Sequence, residues 1–164
     1  MNIILYAIFF IMGTVFGSFL TLATYRIPLN KDITHERSFC PNCNHRLEFG
    51  DLIPLLSYIF LGGKCRYCKK KISPRYFLIE LFCGLSFLLL ALILKIDIYS
   101  FDIYMCLNFI IGALYIVFIF LVAGIDLEHN TIDGRVLVYG MIIALINIIY
   151  QYVVSIKCAT TFSL

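Results

Sequence analysis

Cys40-Pro41-Asn42-Cys43 and, after twenty-one residues, Cys65-Arg66-Tyr67-Cys68 stand in the one extended polar segment of a very apolar chain. Two C-x-x-C knuckles at this spacing are able to close a tetrahedral thiolate site around zinc. Outward from them the sequence turns hydrophobic on both sides. The chain has 164 residues, is 62% hydrophobic and 14% charged, with a mean hydropathy of +0.94. A soluble domain of this length cannot hide so much apolar surface, so part of its solvent is lipid.

Four apolar runs, residues 3–25, 77–94, 103–125 and 136–154, each hold about twenty residues. At about 1.5 Å per residue each spans a hydrocarbon core of about 30 Å. The first run could be a cleaved signal peptide, but it has no basic n-region, exceeds the usual apolar length and lacks a small-x-small cleavage site. It reads as a retained helix. The expected fold is an all-α polytopic membrane protein of about four transmembrane helices carrying a small zinc-ribbon-like loop.

Basic residues set the expected orientation. Residues 26–75 carry ten of the thirteen Lys and Arg against four acids, a net charge of +6. The positive-inside rule then makes this loop cytoplasmic and puts both chain ends outside. The predicted division is a first transmembrane helix at 1–25, a cytoplasmic cysteine-rich loop at 26–75, and helices two to four at 76–164. So basic a loop also suits anionic lipid or nucleic acid; much of its charge is ordinary topology signal, and nucleic acid is not the expected partner.

Structural disulfides are rare in a reducing compartment, so paired C-x-x-C spacing there favours metal, with redox-active dithiols as the alternative. Cys40, Cys43, Cys65 and Cys68 are the expected ligands of a structural zinc, because four thiolates leave no open position for water. A loop of about fifty residues has too little core to order itself, and a metal would staple it. His45 reads as a bystander, and Cys83 and Cys106 as buried apolar side chains. Gly13, Gly17 and Thr21 share one helix face, as do Gly140 and Ala144, and small residues at that spacing allow close helix approach.

Around the loop the residues become specific. Gly17-Ser18-Phe19-Leu20 and Tyr25-Arg26-Ile27-Pro28 begin the pattern, followed by Cys40-Pro41-Asn42-Cys43 and Asp51-Leu52-Ile53-Pro54-Leu55-Leu56-Ser57-Tyr58. It continues through Gly63-Lys64-Cys65-Arg66-Tyr67-Cys68, Ile72-Ser73-Pro74-Arg75-Tyr76 and Glu80-Leu81. In order and over about seventy residues, this resembles bacterial prepilin leader peptidases, with Thr21 where that family usually has Asn. The resemblance implies a membrane aspartic endopeptidase that cleaves leaders of type IV prepilins or pseudopilins at the cytoplasmic membrane face. For many members it also implies methylation of the new N-terminus with S-adenosylmethionine.

By the same resemblance the first catalytic aspartate follows an apolar helix. Ile125-Asp126-Leu127-Glu128-His129-Asn130-Thr131-Ile132 fits, with Asp133 where proline is common. Asp126 is the residue to carry over as catalytic; on position alone it reads as a polar stop to the span. Glu128 reads as solvated, and Glu80 as a partner of Arg75 or Arg26 or as snorkelling to the interface. The family's second aspartate lies in a Gly-x-Gly-Asp motif, which these 164 residues lack. Asp133, or Asp126 of a symmetric partner, is a weak substitute. The alternative expectation is a truncated, inactive family member serving as a membrane scaffold with a zinc-ribbon loop.

Overall fold

The computed structural model describes residues 2–32, 37–97, 102–129 and 134–162, with side chains of the last helix described through residue 155. Five helices follow in order: α1 (Asn2–Arg26), α2 (Leu56–Phe60), α3 (Pro74–Ile93), α4 (Ile103–His129) and α5 (Gly134–Phe162). A 3-10 turn covers Phe49–Asp51. Pairing of extended backbone among the described residues is limited to two isolated bridges, Phe39 with Arg46 and Lys64 with Lys71. The expected all-α class with four long apolar helices is what the molecule adopts: α1, α3, α4 and Gly134–Ser155 of α5 are each long and apolar enough to cross a membrane.

The helix ends have local causes. α3 begins where Pro74 takes the first helical position and the Ser73 hydroxyl accepts from the Arg75 amide at 3.4 Å. It stops in a Schellman turn. Lys95 adopts φ 52°, and the Lys95 and Ile96 amides donate back to the Leu92 and Ala91 carbonyls at 3.0 and 3.1 Å. Ile96 completes that cap by burying its side chain to 2% exposure.

α1 and α3 pack most closely. A Cβ on Gly13 would lie 2.7 Å from the Cys83 carbonyl oxygen, one on Gly17 2.8 Å from Glu80 Cα, and one on Gly84 2.7 Å from Thr14. The small-residue face expected at Gly13 and Gly17 is therefore a seam between two backbones. Beside it, Leu20, Cys83, Phe87, Ala91, Ile96 and Phe109 form the core. Phe109 brings α4 in, with ring centroids 4.5 Å from Phe9 and 6.0 Å from Phe87. α5 packs against α4, where Gly140 meets the Phe118 ring.

Antiparallel α1, α3, α4 and α5 place the end of α1, the start of α3, the end of α4 and the start of α5 together. Arg135 ties two of them: its guanidinium donates to Asn30 Oδ1 at 2.8 Å and to the Ile27 carbonyl at 3.0 Å. The buried Arg26 guanidinium reaches the carbonyls of Asp32 at 2.9 Å and Arg37 at 3.4 Å, folding the exit from α1 back on itself. The cysteine segment leaves from this end and returns to it.

Candidate functional site

The cysteine segment is built from two equivalent turns. In the first, the Cys40 amide donates to the His45 carbonyl at 3.0 Å, Asn44 to Cys40 at 2.8 Å and Leu47 to Ser38 at 2.9 Å. In the second, Cys65 donates to Lys70 at 2.9 Å, Lys69 to Cys65 at 3.1 Å and Ile72 to Gly63 at 2.8 Å. The same bonds recur with one constant offset. Asn44 and Lys69, each just after the second cysteine of its pair, both take a left-handed backbone, φ 54° and 58°. Each turn thereby points two sulfurs to one side.

The two turns face each other and bring all four sulfurs within 4.8 Å of one another. Cys40 Sγ and Cys68 Sγ are 3.9 Å apart, close to the edge of about 3.8 Å that Zn–S bonds of about 2.3 Å give a tetrahedron. The quartet expected from spacing alone is close enough to hold a metal ion. Cys65 is poised as a thiolate: the Cys68 and Tyr67 amides lower its pKa to about 7. Cys43 gains from the His45 amide, but desolvation and the sulfurs of Cys40 and Cys68 outweigh it and push the thiol up to about 11.

Other side chains brace the turns. The His45 ring lies on the Tyr67 ring with centroids 3.6 Å apart, bridging one turn to the other; His45 is a brace and stands outside the sulfur quartet. Asp51, on the 3-10 turn, accepts from Arg66 Nε at 2.6 Å and from the Tyr67 hydroxyl at 3.4 Å. Desolvation first, then the negative charges of Glu48 and Asp51, raise the Tyr67 pKa.

The helix-end carboxylates divide into separate roles. Asp126 lies near the end of α4, exposed, one residue after Ile125, which is buried to 1%. Glu128 falls on another side of the helix, because residues two apart do not share a face. It is not solvated as expected: its side chain is 9% exposed and Oε1 accepts from Arg75 Nη2 of α3. The sequence separation of 53 residues hid that pairing. Asp133 lies outside the described residues.

Glu80 also differs from expectation. Arg75 is committed to Glu128, and Glu80 Oε2 instead accepts the Leu55 amide at 2.8 Å, with the Ser18 hydroxyl of α1 also bonded to it. Leu55 has φ 59° and ψ −49°, and the Leu56 amide returns to the Pro54 carbonyl at 2.6 Å. This is a γ-turn of the strained, positive-φ kind. Motif residues Ser18, Leu55 and Glu80, far apart in the chain, meet at one point.

The profile described as Bacterial Peptidase A24 N-terminal domain matches residues 11–94 of the chain. A prepilin leader peptidase/N-methyltransferase of Myxococcus xanthus is 46% identical over 84 residues, covering 51% of this chain and 25% of that protein. One of Vibrio cholerae is 40% identical over 92 residues, covering 51% of this chain and 35% of the relative. One of Bacillus subtilis is 33% identical over 133 residues, covering 81% of this chain and 50% of the relative. The chain thus spans between a quarter and half the length of these relatives. No solved structure matches it.

Proposed function

This chain belongs to the bacterial A24 peptidase family, whose N-terminal domain it carries, and we propose that it acts in cleaving the leader peptides of prepilins or pseudopilins at the cytoplasmic membrane face. The observation that carries the proposal is the placement of Asp126: an exposed carboxylate at the helix end that shares its side with the cysteine segment. The similarity to the Bacillus subtilis relative supports it, since a stretch covering 81% of 164 residues necessarily includes Asp126.

Aspartic proteolysis needs two carboxylates, one ionised to activate water and one protonated to polarise the scissile carbonyl. Asp126 would be one of them, and the Arg75–Glu128 pair that fastens its helix end supports that reading. No Gly-x-Gly-Asp within these residues supplies the second. A second reading, a non-hydrolytic membrane module, rests on the four apolar spans and the sulfur quartet alone.

In both readings Cys40, Cys43, Cys65 and Cys68 hold a structural zinc, the metal whose bond length and tetrahedral preference suit the sulfur spacing. The zinc supplies folding energy to the segment and takes no part in hydrolysis. The names of the relatives include N-methyltransferase; S-adenosylmethionine as the methyl donor is proposed on the family resemblance alone.

The deciding experiment reconstitutes the full chain in bacterial lipid with a synthetic prepilin peptide spanning the leader junction. Cleavage lost in Asp126→Asn but kept in Asp97→Asn supports the peptidase reading. Cleavage that survives Asp126→Asn removes Asp126 from the reaction. A wild-type chain that binds zinc yet cleaves nothing favours the non-hydrolytic module.

A further inference from the structure

The interval from Arg75 to Lys95 is twenty residues of α3 and its cap, a rise of about 30 Å that matches the hydrocarbon core. With the layer beginning at Arg75, the Glu80 Cα, five residues in, lies about 7 Å inside it, and its side chain leans back toward the surface. Its carboxylate is bonded to the Leu55 amide at 2.8 Å. One turn nearer the surface, the Tyr58 ring sits 5.3 Å from the Phe77 ring. Residues 54–58, which belong to the loop between the two cysteine pairs, are thus held at the outer rim of the hydrocarbon layer.

Backbone outside a helix survives at that depth only when protein groups satisfy it. Here they do: the Leu55 amide has Glu80, and the Leu56 amide has the Pro54 carbonyl at 2.6 Å. The outward face of the same segment is apolar and open. Leu56 is 50% exposed, Ile59 58% and Phe60 82%, with Leu52 and Ile53 beside them. Immediately beyond, Lys64 and Lys71 oppose each other across a bridge. With Tyr58, Gly63, Ser73 and Pro74 they line an open cleft of about 550 Å³.

We propose that residues 52–60 form a re-entrant wedge in the bilayer, and that the Lys64–Lys71 cleft seats the phosphate of an anionic phospholipid whose acyl chains lie along Ile59 and Phe60. The occupant follows from depth and charge together. A water-soluble partner does not reach a segment seated at the rim of the hydrocarbon, and a zwitterionic lipid lacks the net charge that two lysines lining one cleft select. An anionic lipid offers both the charge and the chains. Each lysine at the headgroup level favours it about fivefold.

The chain contains no tryptophan, so Phe60→Trp places a sole indole on the wedge at a position with little packing to disturb. The full chain is incorporated into mixed phosphatidylcholine and phosphatidylglycerol vesicles, with bromine on the acyl chains of one lipid or the other. The expected emission is blue-shifted, quenched by acyl bromine, shielded from aqueous acrylamide, and quenched more when phosphatidylglycerol carries the bromine. Lys64→Gln with Lys71→Gln should equalise the two lipids while the blue shift remains. Ile59→Trp, also at an exposed position, is the second reporter should the first variant misfold. Red-shifted, acrylamide-accessible emission overturns the wedge, and equal quenching by both lipids in the unmodified lysine background overturns the headgroup seat. Quenching that falls as the protein-to-lipid ratio rises assigns the face to a second copy and also overturns the proposal.

Discussion

Arg75 Nη2 of α3 donates to Glu128 Oε1 of α4, fastening the start of one helix to the end of another two residues beyond Asp126. Arg75→Gln leaves a carboxylate that is nine-tenths buried without its charge partner. The expected cost is about 2 kcal/mol, below the about 3–5 typical of fully buried pairs because a third of the Arg75 side chain remains exposed. Arg75→Gln combined with Glu128→Gln should recover most of that loss. Thermal unfolding of the singles and the double in detergent checks it; a double no more stable than Arg75→Gln would rule the pairing out.

The Leu55 amide depends on Glu80. Glu80→Gln keeps an acceptor oxygen and should change stability little. Glu80→Leu orphans the amide, at an expected cost of about 1–3 kcal/mol. Hydrogen exchange at Leu55 is the local readout: rapid in Glu80→Leu and slow in Glu80→Gln. Equal exchange in both would mean that the carboxylate does not hold the turn.

The α1–α3 seam should reject volume. In Gly17→Ala the added methyl meets the Glu80 backbone at 2.8 Å, and backbone cannot swing aside as a side chain does. A loss of about 1–3 kcal/mol is expected. Gly134→Ala, whose added methyl meets nothing within 4 Å, is the matched control and should be neutral or stabilising. The comparison is a pair of melting temperatures under one detergent condition.

Metal affinity should rise with pH over a wide range. Metal binds thiolates, so a thiol still protonated at the working pH must release its proton, at about tenfold in affinity per pH unit. Cys65, lowered to about 7, ceases to impose that cost above neutrality. Cys43, raised to about 11, continues to impose it. Apparent zinc affinity should therefore climb steeply from pH 6 to 7 and keep climbing through pH 9, measured by competition with a chromophoric chelator. A plateau by pH 7.5 would contradict the raised Cys43 thiol. Cys68→Ser should lose most of the affinity at every pH.

The four long helices were legible because apolar length is a local property, and only their ends moved. α3 starts at Pro74 rather than 77, and α4 runs to His129 rather than 125, since helical hydrogen bonding continues past the last lipid-facing residue. The sulfur quartet was legible too, because C-x-x-C spacing fixes each half-site locally. What stayed hidden was non-local. Glu128 and Arg75 are 53 residues apart, and Leu55 and Glu80 are 25 apart. Charge and hydropathy do not encode such partners. The short run at 52–56 reads as loop because it is interrupted by Pro54 and too short to span.

The glycine seam and the cysteine quartet have a joint consequence. The first turn descends from α1, the second leads into α3, and the two helices already touch at Gly13, Gly17 and Gly84. Sulfurs at one point and glycines at another close the chain into a ring. With zinc bound as proposed, sliding one helix along the other would pull on the sulfur clasp. Thermodynamic reciprocity would then make whatever loosens the seam weaken metal binding, and stripping the metal would free the register of the helices by the same amount. Helix alignment inside the bilayer and thiolate chemistry outside it are two readings of a single mechanical closure.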